Sequence, residues 1–281
     1  MPPVISELPL QPPAPLARER SQSNMGVVSD SIFHPNDVRI VHLSNSYNLL
    51  SRRSSTTFLP KGDILVHSGD FSIHGSDEEF QQFDEWLRSV KHIFHYRIVV
   101  LGLRDVRRYG ADWEVMKSLL PNASHVLCHE EVTVMGLRFY GCPWHWGHDY
   151  SYRIRPNAPM NTSTHFDEIP AKTHILITHG AAYGHLDSAG GGSKDAMRHG
   201  SPDLAEAITR KRPSLHLHGH VCGGRGVMTA FGPWPLTLNS CVCIEEQAGV
   251  MFATAHVVDA CKVASEGEGS EWTFSLGGLE S

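Results

Sequence analysis

The sequence predicts an α/β domain, and three observations predict it. Short apolar runs alternate with amphipathic helical patterns over residues 38–258, the mark of a largely buried central sheet. Four of the runs end in glycine beside polar residues: Gly69-Asp70, Gly102-Leu103-Arg104-Asp105, His179-Gly180 and Gly219-His220. The chain has 281 residues, 41% hydrophobic and 19% charged, an ordinary globular balance for one large domain. In open α/β sheets the ligand site lies outside the carboxyl ends of the strands. Glycine lets the chain turn sharply there, so the polar neighbours of these glycines should meet at one rim.

The elements follow in order. Val38 to Ser44 is a strand candidate, and Asp63 to Ser68 is a second. Asp77 to Val90 carries apolar residues at Phe80, Phe83, Trp86, Leu87 and Val90, one face of a helix. Ser76 precedes it with Glu79 three residues on, a capping box. His95 to Leu101 is a third strand, and residues 111–120 suggest a short helix. Val126 to Val134 and Leu137 to Tyr140 read as a hairpin turning at Met135-Gly136. His174 to Thr178 is a strand, Pro202 to Arg212 a helix, and Ser214 to His218 a strand. Val227 to Ala230, Leu236 to Cys243 and Met251 to Val258 close the series, adding antiparallel strands. Residues 1–37, rich in Pro, Ser and Arg, read as a disordered or loosely packed arm. Residues 38–261 form the domain, and 262–281 read as a mobile tail able to add a strand.

Composition excludes several function classes. The net charge of −6 argues against a broad surface for a nucleic-acid polymer. No apolar run approaches the roughly 20 residues of a membrane span. The N-terminus has neither a basic start nor an apolar segment of the secretory kind, and no cysteines stand as C-x-x-C. Cys128, Cys142, Cys222, Cys241, Cys243 and Cys261 therefore read as free thiols, with Cys241 and Cys243 on one face of a strand. A cytoplasmic protein is expected. Nineteen histidines suggest metal or acid–base chemistry, since imidazole is both a common ligand and a common proton carrier.

The strand ends carry a known pattern. GDILVHSGD (62–70), EFQQFDEWL (79–87), RIVVLG (97–102), GCPW (141–144), ILITHG (175–180), LHLHGH (215–220) and the GRGVMT that follows occur in order. In these words the chain resembles the calcineurin-like metallophosphoesterase superfamily, and more closely its brain-type metallophosphoesterase domain-containing subfamily. The resemblance implies a four-layer α/β/β/α sandwich of mixed sheets with helices on the outer faces. It also implies a two-metal site. The family's D-x-H, the Asp of G-D, the Asn and His of G-N-H, a lone His before Gly, and the two His of G-H-x-H form it. Two metals suit phosphoester cleavage because they activate a hydroxide and offset developing charge.

This sequence keeps part of that set. Asp70, His179 and His220 stand where the family has ligands. Asn45 and Tyr47 replace the acid and imidazole of the first motif, Leu103 replaces the amide ligand, and Cys222 replaces the last imidazole. The resemblance therefore implies a degenerate site: one divalent metal (Mn, Fe or Zn) on Asp70, His179 and His220, or none, and no second metal. Arg104 takes the place of the catalytic imidazole. It cannot donate a proton at ordinary pH, but its planar fork suits a phosphate. Asp105 beside it either orients Arg104 or pairs with it and neutralises it.

Weaker features are the GGGS of 190–193, read as a flexible loop, and Trp144, His145, Trp146 and His148, read as pocket wall or surface. His216, His218 and His220 share a face only if their strand runs unbroken through Gly219. Three functional readings remain open: a pseudoenzyme binding phosphate or nucleotide with little or no hydrolysis; a weak one-metal phosphodiesterase using Asp70, His179 and His220; and a metal-free scaffold engaging protein partners through its Pro-rich arm.

Overall fold

The structure, a computed structural model, describes residues 37–51, 59–110, 112–143, 166–188, 198–246, 249–252, 254–264 and 270–277. The N-terminal arm (apart from Asp37), the GGGS loop and the Trp144–His148 stretch lie outside the described residues.

The chain builds two six-stranded mixed sheets. The first holds, in spatial order, β14 (Ser270–Leu276), β13 (His256–Ala264), β1 (Val38–Leu43), β2 (Ile64–His67), β3 (Tyr96–Val99) and β4 (His125–Val126). The second holds β5 (Glu130–Val134), β6 (Leu137–Cys142), β7 (Ile175–Thr178), β8 (Leu215–His218), β10 (Leu236–Asn239) and β9 (Gly226–Met228). β11 (Cys243–Glu246) and β12 (Gly249–Phe252) pair as a separate ribbon. The central strands of each sheet run parallel, so their carboxyl ends share one side.

Side-chain alternation explains the layering. In β1, Val38 and Ile40 face the second sheet, while Val41 and Leu43 face outward. The inner layer joins Ile64, Val66 and Ile98 of the first sheet to Phe139, Ile175, Ile177, Leu215 and Leu238 of the second. Outside the first sheet lie α1 (Asp77–Ser89) and α2 (Trp113–Ser118), packing Phe80, Phe83, Trp86 and Met116 onto it. Outside the second lies α3 (Pro202–Lys211), packing Leu204, Ala207 and Ile208 onto Tyr140 and Leu176. This is the α/β/β/α sandwich that the resemblance implies. The single central sheet suggested by strand–helix alternation is instead two, because strands buried on both faces look alike whichever sheet they enter.

Other boundaries shift. Val126 belongs to β4 in the first sheet and not to the β5–β6 hairpin, whose turn at Met135 and Gly136 has positive φ at both residues. The apolar run 236–243 is not one strand: β10 ends at Asn239, Cys241 makes an isolated bridge with Ser44, and β11 starts at Cys243. Cys241 and Cys243 therefore do not share a strand. Residues 270–276, in the stretch read as a tail, pair antiparallel with β13 at the sheet edge. Among the described residues no helix is long and apolar enough to cross a membrane.

Two acids hold the loops that carry the rim. Asp105 is wholly buried, and its carboxylate accepts from Asp70 N (2.8 Å), Gly102 N (2.8 Å), Ser72 N (3.0 Å) and Ser72 Oγ (2.7 Å). It therefore pins the loop after β2 to the loop after β3. Gly102 permits this approach, since a Cβ there would sit 2.2 Å from Asp70 N. Glu79 completes the capping box with Ser76 and also accepts from Asn48 Nδ2 (2.7 Å), Ile73 N (3.1 Å) and His74 N (3.0 Å). Burial raises its pKa, but these donors outweigh burial and hold it below the usual carboxylate range.

Two stability effects follow. Asp105→Ala leaves four donors unanswered and should cost about 3 kcal/mol or more, read by urea unfolding. Glu79 has a depressed folded-state pKa, so its contribution is full above the ordinary carboxylate pKa and fades as pH falls through the depressed value. Glu79→Gln should therefore lower stability at neutral pH and flatten its loss on acidification. An unchanged acid limb would contradict the role given to Glu79.

Candidate functional site

Five loops meet at the carboxyl ends of β1, β2, β3, β7 and β8. The loop after β1 lies along the loop after β2 through Asn45 N to Gly69 O (2.9 Å) and Tyr47 N to Asp70 O (3.1 Å). The backbone here is strained: Asn45, Tyr47, Asp70 and His220 have φ of 54°, 42°, 58° and 65°. Left-handed geometry is unfavourable for residues with a Cβ and collects at functional sites.

Asp70 is the centre. It is 3% exposed. Its Oδ1 accepts from Arg104 N (2.8 Å) and lies 3.4 Å from His179 Nε2. Its Oδ2 accepts from Asn45 Nδ2 (3.3 Å) and lies 3.7 Å from Arg104 Nε. Burial pushes its pKa up, but His179 and Arg104 together pull it below the usual range, so it is ionised. His179 answers in kind: burial lowers its pKa, yet Asp70 raises it on balance. The His179 Nδ1 donates to Ser68 O (2.8 Å), which fixes the ring and turns Nε2 toward Asp70.

Asp70, His179 and His220 bring one ligand atom each to within 4.8 Å of one another. Among the described residues this is the cluster with metal-ligand chemistry. One carboxylate and two imidazoles, one of them oriented by a backbone carbonyl, are a donor set that fits a divalent cation.

The replaced positions lie around it. Asn45 turns its carbonyl oxygen away from the site, where it accepts from His220 N (2.8 Å), Ser44 Oγ (2.7 Å) and Cys241 Sγ (3.2 Å). Its amide group faces inward and donates to Tyr47 Oη (2.7 Å) and Asp70. Burial and Asp70 push the Tyr47 pKa up, so it stays a phenol. Cys222 Sγ lies 4.0 Å from Tyr47 Oη, and hydrogen bonding to Cys241 lowers its pKa. Leu103 is half-buried and has no donor atom to offer.

Arg104 stacks on Tyr47, its Cζ 4.7 Å from the ring centroid, with its side chain 37% exposed. Its partner is Asp70, not Asp105, which turns inward to the backbone as described above. His216 and His218 do not join His220. They are fully buried on β8, and Gly219 turns the chain before His220. A Cβ at Gly219 would lie 1.8 Å from Ser44 Oγ, so the turn depends on glycine.

Beneath the rim lies a polar layer that sequence reasoning missed. His42 Nε2 meets Ser68 Oγ (2.8 Å), and Ser240 Oγ meets both His42 Nδ1 (2.6 Å) and His256 Nδ1 (2.9 Å). His67 bonds Ser46 Oγ (3.0 Å) and Gly69 N (3.2 Å). Burial lowers the pKa of each of these histidines, so they are neutral supports for the loops. The one sequence signal for them is the histidine count.

No family model matches the chain. Among curated proteins it is similar to metallophosphoesterase domain-containing protein 1 of Homo sapiens and of Mus musculus. Each is 31% identical over 218 residues, covering 69% of this chain and 63% of the relative. It is also similar to a UPF0046 protein of Caenorhabditis elegans, 29% identical over 218 residues, covering 71% of this chain and 74% of that one. The chain thus spans somewhat under two thirds of the length of its mammalian relatives. The sandwich, the Asp-His-His cluster at its rim and these likenesses agree: the chain belongs to the metallophosphoesterase family, with the metallophosphoesterase domain-containing proteins.

Proposed function

We propose that this protein binds a phosphate group or nucleotide over a single divalent cation and hydrolyses it little or not at all. The observation that carries this reading is the orientation of Asn45. In the family pattern an acid here would hold the first metal beside the bridging aspartate. Here the position presents an amide group that donates to Tyr47 Oη and Asp70 Oδ2, and its oxygen is spent on His220 N, Ser44 Oγ and Cys241 Sγ. A cation on that side of Asp70 would meet donors, and the buried phenol of Tyr47 offers no charge to hold it.

Arg104 fills the electrostatic gap. Its guanidinium sits on Tyr47 beside Asp70, partly open to solvent, and can offer its fork to phosphate oxygens. A divalent cation on Asp70, His179 and His220 would add Lewis-acid charge to the same phosphate. Arg104 does not protonate a leaving oxygen, and a general acid is worth about 10²- to 10⁴-fold in rate. Binding is thus retained and turnover is lost. The surviving Asp-His-His cluster favours a second reading, slow one-metal phosphodiester hydrolysis. Cys128, Cys222, Cys241 and Cys261 are reduced thiols, in keeping with the cytoplasmic location proposed here.

Two experiments test this. Calorimetry with AMP and Mn²⁺ should show saturable binding that Arg104→Ala weakens about ten- to hundredfold, the worth of a charge-assisted hydrogen bond. Binding untouched by Arg104→Ala would contradict the clamp. Hydrolysis of bis(4-nitrophenyl) phosphate should be near background in the wild type. It should rise by at least about 10²-fold in the joint variant Asn45→Asp, Tyr47→His, Leu103→Asn, Arg104→His, Cys222→His. A wild-type rate equal to that of the folded variant would favour the one-metal enzyme instead.

A further inference from the structure

A second cleft opens at the opposite end of the second sheet. It has a volume of about 580 Å³ and is walled by Arg138, Lys172, His174, Arg212, Lys262 and Trp272. Arg138, His174 and Ser214 lie at the starts of β6, β7 and β8, whose far ends lead to His179 and His220. At about 3.3 Å per residue, the five residues from His174 to His179 place the cleft roughly 15 Å from the Asp70 site.

The cleft is net positive in a chain that is net negative. Four cationic side chains line it against one carboxylate, Glu271, in a chain of net charge −6. A concave wall with an excess of one sign focuses its field on the space it lines. Two details show that the wall is not merely a solvated basic surface. Arg212 occupies the left-handed C-cap of α3, with φ of 52°, a position where glycine is the usual residue. The chain accepts strain to keep an arginine there. The second detail is donor crowding. His174 Nδ1 lies 3.1 Å from Arg138 N, and His174 Nε2 lies 2.8 Å from Arg138 Nη2. A neutral imidazole accepts at one nitrogen only, so one of these contacts sets donor against donor. An anionic oxygen in the cleft, touching both side chains, would accept from both. Burial and Arg138 lower the His174 pKa, which keeps the ring neutral.

Trp272 supplies the apolar part. It is half-buried on the edge strand β14, packed on the inner core at one side and lining the cleft at the other. The volume falls in the range of small-ligand sites, and an indole face suits a base. We infer that this cleft binds a nucleoside di- or triphosphate, its phosphates among Arg138, Arg212, Lys172 and Lys262 and its base against Trp272. The site is separate from the Asp70 rim and does not depend on the function proposed for it.

The test is calorimetry on the full chain in about 150 mM salt with EDTA present, using ADP and inorganic pyrophosphate as probes. ADP should bind saturably, and His179→Ala should leave that binding unchanged. Lys262→Glu and Arg212→Gly should each weaken it at least tenfold. Arg212→Gly should also raise the Tm, since glycine relieves the left-handed strain, so lost binding could not be blamed on unfolding. Trp272→Leu should weaken ADP but not pyrophosphate. The inference is overturned if ADP does not bind, if His179→Ala abolishes binding, if the charge variants leave it intact, or if pyrophosphate binds as tightly as ADP. An RNA oligonucleotide that binds this face while ADP does not would also overturn it.

Discussion

A carboxylate ionised at the buried end of two facing sheets must be met by positive charge or by donors, and the rim of this protein is arranged around that requirement. Asp70 takes a backbone N–H and a guanidinium from Arg104, an amide from Asn45, and an imidazole from His179. An uncompensated charge at such depth would be strongly destabilising. Each of these partners depends in turn on a loop held in a left-handed or glycine-bearing turn, and Asp105 and Glu79 fasten those loops from below. The family's solution to the same electrostatic problem is a second cation. In the function proposed above, an arginine and an amide take its place, which would keep the loops in position with so many ligand positions altered.

Much of the fold was legible in the sequence because it rests on local signals. The helix at 77–89 carries its capping box and its apolar face in plain view, and the Met135-Gly136 turn follows from glycine and the flanking alternation. Sheet membership was not legible. β4 and β5 overlap the one strand read at 126–134 yet enter different sheets, and residues 236–243 break at Cys241 because that residue bridges to Ser44 across the sandwich. Such choices are made by long-range pairing, which leaves no local period to read.

The site was legible as a set of motif positions, and less so as geometry. The sequence reading places Asp70, His179 and His220 together, as they are found. It could not assign Arg104 to Asp70 over Asp105, because adjacency in sequence says nothing about which way each side chain turns. Nor could it tell that Asn45 directs its nitrogen, not its oxygen, into the rim: that follows from the backbone N–H of His220, 175 residues away, which claims the oxygen. The histidine excess has a similar explanation. Many of the imidazoles that looked like a promise of catalysis are neutral, buried supports such as His42, His67, His216 and His218. An imidazole that donates at one nitrogen and accepts at the other can bridge two loops in a dry interior.

The central claim is that Asp70 serves one cation and not two. Anomalous X-ray scattering from crystals soaked in Mn²⁺ tests it most directly. The account predicts a single peak among Asp70, His179 and His220, with the Asn45 amide and Arg104 still on Asp70 Oδ2. A second peak within about 4 Å of the first, bridged by Asp70 and reached by Asn45 Oδ1 or Cys222 Sγ, would contradict it.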